Sequence, residues 1–161
     1  MGPYEKNSVS VLELKIPPPI VGALTATAMW LLSLVTPSLK MPSPLRLVAA
    51  LVLAMVGLTI AFAGFIAFNH AKTTVNPTKP EKSTSLVTSG IYKITRNPMY
   101  VGLVLVLVAW AVQLSAPWTL AGPLAFVLYI VRFQIRPEER VLLAMFGAEY
   151  SAYKNRVRRW L

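Results

Sequence analysis

Residues 97–131 read NPMYVGLVLVLVAWAVQLSAPWTLAGPLAFVLYIV, 35 residues without one charged side chain. A helix crossing a hydrocarbon core needs about 20 residues, so this stretch is too long for one span and suits two. At its centre, Gln113-Leu114-Ser115-Ala116-Pro117 sets a polar pair ahead of a proline, and proline belongs in the first turn of a new helix. The spacing predicts a tight hairpin there. Upstream, Ile16–Leu39 (24 residues) and Leu47–Phe68 (22 residues) are also free of charge. The expectation is an all-α, multi-pass integral membrane protein, one domain filling residues 1–161. Its four transmembrane helices fall at about 17–38, 46–68, 98–115 and 117–134.

Composition agrees. Of 161 residues, 55% are hydrophobic and only 14% charged, where a soluble domain carries about 25% charged residues. With no cysteine, no aspartate and a single histidine, His70, neither disulfides nor a protein-built metal centre is expected. His70 suits an interfacial hydrogen-bonding role. Sixteen Lys and Arg against six Glu give a net charge of +10. A nucleic-acid groove would need solvent-facing surface that such a chain lacks, so membrane lipids are the expected partner of the charge. Four spans put both termini and the 69–96 loop on one side, with 14 of the 16 cations; only Lys40 and Arg46 fall on the other. The crowded side is therefore expected to be cytoplasmic. The N-terminus lacks the pattern of a cleavable signal, and Lys6 stands where a myristoylation signal needs Ser or Thr.

Ala50, Ala54, Gly57, Ala61 and Gly64 recur at spacings of four and three, a small-residue seam along one face of the second span. It fits close packing against another span, or a homodimer; the oligomeric state stays open. Polar residues gather on the cytoplasmic side, in His70–Tyr100 and after the fourth span. Asn97-Pro98 reads as an N-cap followed by a first-position proline, with free amides that favour an anion. Arg132, Gln134 and Arg136 precede Pro137, which is expected to start a new helix carrying Glu138 and Glu139 in its first turn. Boundary charges of this kind are costly without partners or a cavity, which points to a site shared by the two segments. Beyond them Leu142, Phe146, Tyr150, Tyr153, Val157 and Trp160 recur at three to four residues. That is an amphipathic C-terminal helix, either a lid over the site or a surface anchor.

The motif Leu86-Val87-Thr88-Ser89-Gly90-x-Tyr92-x-x-x-Arg96-x-Pro98-x-Tyr100-x-Gly102 resembles the signature of isoprenylcysteine carboxyl methyltransferases and their phospholipid-methyltransferase relatives. A second motif fits the same family: Glu138-Glu139, then Phe146-Gly147-x-Glu149-Tyr150-x-x-Tyr153-x-x-x-Val157-x-Arg159. The resemblance covers roughly residues 70–161 and implies a membrane methyltransferase using S-adenosylmethionine, bound by segments 84–100 and 132–161. It implies that Thr84, Ser85, Leu86 and Val87 line the adenosine side, that Tyr92, Asn97, Pro98, Met99 and Tyr100 contact the cofactor, and that Glu138 receives its amino group. Members acting on prenylated proteins usually carry His at the position of Asn97. The family's substrate-contacting arginine falls on Gln134, with Arg132 and Arg136 as neighbours able to serve.

Methyl transfer is an in-line displacement that depends on alignment more than on acid–base chemistry. A carboxylate acceptor is ionised at neutral pH and needs no base, whereas an amine must lose a proton. The scarcity of bases favours O-methylation of an isoprenylcysteine-type carboxylate over N-methylation of a phospholipid amine or another lipophilic acceptor. A membrane sterol or enone reductase using NADPH is a further alternative, and a four-span transporter stands last.

Overall fold

The computed structural model describes residues 13–71 and 85–161, and among them every regular element is a helix or a helical turn. Helix α1 spans Pro18–Val35 and α2 spans Ser43–His70. A 3-10 turn, Gly90–Lys93, leads into α3, Pro98–Leu114. A second 3-10 turn, Pro117–Leu120, opens α4, Ala121–Ile130, which runs through a π-turn at Val131–Ile135 into α5, Arg136–Arg156. Three of these segments, Pro18–Val35, Ser43–His70 and Pro117–Arg156, are long and apolar enough to cross a membrane; Pro98–Leu114 is a shorter apolar helix. Much of the outward surface of α1 and α2 is apolar, with Leu24, Leu34, Met55 and Phe62 each more than 60% exposed. Faces of that kind suit lipid rather than water.

The hairpin forms where the polar pair and proline place it. Ser115 ends α3 in the left-handed region (φ 55°), and Pro117 opens the next turn. The Ser115 hydroxyl donates to the Leu39 carbonyl (3.1 Å) while the Leu39 N–H donates to the Ser115 carbonyl (2.6 Å). These bonds tie the α1–α2 connection to the hairpin and offset the strain at Ser115. At mid-height the Trp110 indole N–H donates to the Ala26 carbonyl (3.0 Å), joining α3 to α1. Phe126, Ile130, Ile135, Met29 and Leu107 form the buried centre between α1, α3 and α4.

The small-residue seam of α2 packs within the chain, against α3. A Cβ on Gly102 would lie 2.5 Å from the Gly57 carbonyl oxygen and 2.7 Å from the Ala61 Cβ, and one on Gly64 would meet Pro98 and Met99. Lipid provides no hydrophobic drive for helices to associate, so this close backbone approach carries much of the α2–α3 packing. Gly102→Ala is expected to lower stability by about 1–3 kcal/mol, the usual cost of overpacking, and Gly102→Val by more. A thermal melt of the detergent-solubilised protein checks this; an unchanged melting temperature for both variants would contradict the close approach.

Pro137 does not start a separate helix, contrary to the sequence expectation; the helix continues from α4 into α5. An in-helix proline clashes with the carbonyl four residues back and leaves it without a donor. The π-turn relieves the clash: the Arg136 N–H reaches back five residues to the Val131 carbonyl. The orphaned Phe133 carbonyl accepts the backbone N–H of Leu14 instead (3.0 Å), from the segment that precedes α1. Leu14 sits at φ 58° to make this contact, and Glu13 beside it accepts bonds from Arg132 (2.8 Å) and from Arg140. Burial pushes the Glu13 carboxyl up, but the two guanidiniums outweigh it and hold it below the ordinary carboxylate range. A carboxyl depressed on folding stabilises above its unfolded pKa and loses that contribution as pH falls through the folded value. The melting-temperature gap between wild type and Glu13→Gln is therefore expected to be widest near neutrality and to close below about pH 4. A gap that widens with acid would contradict the assignment.

The C-terminal helix is also shorter than the periodicity suggests. It ends at Arg156, and Val157 is extended. Gly147 bends it at φ 47°, ψ −116°, and a Cβ added there would meet no atom within 4 Å; conformation, not space, requires glycine. Trp160, expected on the helix face, packs instead against the core cluster of α1, α3 and α4.

Candidate functional site

The start of α3 and the start of α5 meet at one end of the bundle. Tyr100, in the first turn of α3, is buried, and its hydroxyl donates to Glu138 Oε1 at 2.6 Å. The amide Nε2 of Gln134, buried in the π-turn, donates to the same oxygen at 2.8 Å. Neither donor is charged, so Glu138 is held in place without a balancing cation among the described residues.

Its neighbour Glu139 is held differently. Arg159 meets it with two parallel bonds (2.7 and 3.0 Å), and Arg96 donates to it at 2.8 Å. The forked geometry is the strong form of a carboxylate–guanidinium contact, and it holds the Arg159 guanidinium above its ordinary pKa. The Arg96 side chain is only 9% exposed and its Nε is buried without a partner among the described residues. Two adjacent acids thus stand in opposite states, one neutralised twice over and the other not at all.

Residues 95–97 and the chain end zip together beside this pair. The Arg96 N–H donates to the Arg158 carbonyl (3.0 Å), and Thr95 pairs in parallel with Arg158. The Asn97 side chain does not cap α3; its Nδ2 donates to the Arg159 carbonyl (2.9 Å). The amides at the start of α3 are therefore left without a side-chain cap. Pro98 does occupy the first helical position, as expected, and is buried.

The remaining expected residues divide between lining and support. Val87 and Tyr92 are buried with Ala67, and Leu86 packs on Tyr150, Tyr153 and Val157. The Tyr92 ring meets Phe68 edge-on at 5.4 Å, its carbonyl accepts the Tyr153 hydroxyl (2.8 Å), and burial pushes its own hydroxyl well up in pKa, so it stays neutral. The Ser85 hydroxyl donates to the Ala71 carbonyl (3.2 Å), and Met99 lies against α2 near Gly64. Thr84 lies outside the described residues. Of the three residues weighed as an acceptor contact, Gln134 stands beside Glu138. Arg132 is turned away to Glu13, and Arg136 is exposed and unpaired among the described residues. Two residues along a helix is about 200° around it, which separates the arginines from the Gln134–Glu138 face. The tyrosine face of α5 folds back over the 86–96 segment, as a lid would.

Sequence reasoning missed the Glu139 clamp and the Glu13 strap. Pairs 20, 43 and 119 residues apart leave no local periodicity to read.

The phospholipid methyltransferase family model matches residues 45–149. An uncharacterized protein of Haemophilus influenzae is 46% identical over 63 residues, 39% of this chain and all of that protein. The protein-S-isoprenylcysteine O-methyltransferase of Saccharomyces cerevisiae is 35% identical over 94 residues, 55% of this chain and 37% of that protein. Protein-S-isoprenylcysteine O-methyltransferase B of Arabidopsis thaliana is 36% identical over 80 residues, 48% of this chain and 39% of that protein. The chain thus spans about two fifths of the length of these two relatives. No solved structure matches. A family match over well over half the chain, containing Arg96, Tyr100, Gln134, Glu138 and Glu139 alike, makes this protein a member of the phospholipid methyltransferase family, a family of enzymes.

Proposed function

We propose that the protein is an S-adenosylmethionine-dependent membrane methyltransferase that O-methylates the carboxylate of an isoprenylcysteine-type lipophilic substrate. The observation that carries the reading is Glu138: a carboxylate fixed by Tyr100 and Gln134, with no cation of its own among the described residues, beside the uncapped start of α3. The described residues fit the amino-acid end of the cofactor. Glu138 would take its ammonium, and the Met99 N–H in the first turn of α3, with the Arg96 Nε that has no partner among the described residues, would take its carboxylate. Ser85, Leu86 and Val87, with Thr84, would lie along the adenosine, and Tyr92 and the Asn97–Tyr100 corner would close the pocket beside them. When bound, S-adenosylmethionine supplies an electrophilic methyl group on a sulfonium.

The protein's task is then alignment and exclusion of water. The Arg96–Glu139–Arg159 clamp fixes the approach of the two segments, and the tyrosine face of α5 covers them. The acceptor's carboxylate attacks without a general base, and Gln134 is the polar group positioned to meet it. In this reading the chain crosses the membrane four times, with α3 as the shortest span, both termini and the 69–96 loop in the cytoplasm, and the acceptor's lipid tail held in the bilayer. The names of the yeast and plant relatives support the carboxylate acceptor. The family's own name supports N-methylation of a phospholipid amine as the second reading.

Incubation with methyl-labelled S-adenosylmethionine and a panel of lipidic acceptors, farnesylcysteine derivatives included, separates the two. Label released as methanol by mild base marks an ester and is the expected result. Base-stable label on a phosphatidylethanolamine acceptor would overturn the O-methylation reading in favour of the amine.

A further inference from the structure

Arg132, Arg136 and Arg140 follow one another at four-residue intervals on the outward side of the α4–α5 helix. Arg132 and Arg140 both reach the single carboxylate of Glu13, which shows that they share a face, and Arg136 lies between them. All three are exposed, Arg132 and Arg140 at 46% and 58% of their side chains, whereas the Glu13 side chain is only 6% exposed. Three guanidiniums stand against one carboxylate, and Arg136 has no partner among the described residues. The same four-residue ridge continues up the span as Leu128, Leu124 and Leu120, exposed at 63%, 60% and 55%. An apolar ridge of about 12 Å, eight residues of helix rise from Leu120 to Leu128, therefore ends one turn short of a cationic cluster.

That order, apolar along the span and cationic at its end, is the complement of a phospholipid with an anionic headgroup. We propose that this ridge is a binding surface for one anionic phospholipid, an acyl chain lying along Leu120, Leu124 and Leu128 and the headgroup phosphate against Arg136, flanked by Arg132 and Arg140. Glu13 sets the strength of the site from within. It neutralises one charge of the cluster, and its strap is anchored only by the Leu14–Phe133 backbone bond and the two ion pairs among the described residues. The surface lies on the helix face away from Gln134 and Glu138, so it stands whether or not the methyltransferase reading does.

The test is a titration of the protein in a zwitterionic detergent with short-chain phosphatidylglycerol, phosphatidylcholine or inorganic phosphate, reading melting temperature. Phosphatidylglycerol is expected to stabilise saturably, with phosphatidylcholine and phosphate giving little. Arg136→Gln changes an exposed side chain and is expected to weaken the apparent phosphatidylglycerol affinity about fivefold, what one cation near an anionic lipid contributes. Lys154→Gln, an equal charge change at another exposed position, is expected to leave it unchanged. Glu13→Gln is expected to strengthen it by a similar factor. Equal stabilisation by phosphatidylcholine would overturn the proposal. Equal losses in Arg136→Gln and Lys154→Gln would reduce it to diffuse charge, and full reproduction by phosphate would replace the lipid with a free anion; either result overturns it.

Discussion

Replacing Glu138 with glutamine is expected to weaken S-adenosylmethionine binding by roughly 30- to 150-fold, the equivalent of about 2–3 kcal/mol for a hydrogen bond to a charged group. Glutamine keeps the size of the side chain and can still accept from Tyr100 and Gln134. The loss therefore isolates the negative charge. Glu138→Ala should lose as much or more, because it also leaves the Tyr100 hydroxyl and the Gln134 amide without their acceptor. Tyr100→Phe removes one positioning bond and leaves the charge, so a smaller loss, about tenfold or less, is expected. Equilibrium binding of labelled cofactor to the solubilised protein checks the series. A Glu138→Gln variant that binds as wild type does would remove this residue from the site.

The neighbouring acid should fail in a different way. Glu139→Ala leaves the Arg96 and Arg159 guanidiniums facing each other without an anion, and the Arg96 side chain is 9% exposed. Removing one partner of a buried pair costs about 3–5 kcal/mol; with Arg159 a third exposed, a loss near the lower end, about 3 kcal/mol, is expected. The loss should appear as a lower melting temperature with or without cofactor, and as faster proteolysis of the chain end, which loses its ion pair and keeps its bonds to Thr95, Arg96 and Asn97. A Glu139→Ala variant as stable as wild type would show that the clamp contributes nothing to the fold. Adjacent in sequence, the two acids are separable by what each substitution lowers: affinity for one, stability for the other.

The local features of the fold were legible because their causes are local. Charge-free runs mark α1, α2 and the α3–α4 hairpin, and Ser115 with Pro117 marks the turn itself. The small-residue seam identified the packing face of α2, but not its partner, since spacing along one helix says nothing about Gly102 on another. Pro137 misled for the same reason. As a local signal it breaks a helix; in the fold a π-turn absorbs the ring, and a backbone N–H more than a hundred residues upstream takes up the freed carbonyl. Asn97 has a side chain suited to capping, yet spends it on the Arg159 carbonyl because the chain end lies beside it. The family motifs named most of the residues around Glu138 but could not divide the labour between Glu138 and Glu139. Only the positions of Arg96 and Arg159 do that.

Binding of S-adenosylmethionine at this end of the bundle, through an uncompensated Glu138, is tested most directly by melting the solubilised protein with S-adenosylmethionine, with NADPH and with neither. The expected result is a saturable rise with S-adenosylmethionine, none with NADPH, and loss of the rise in Glu138→Gln at an otherwise similar melting temperature. A rise with NADPH, or no rise with either, would contradict it.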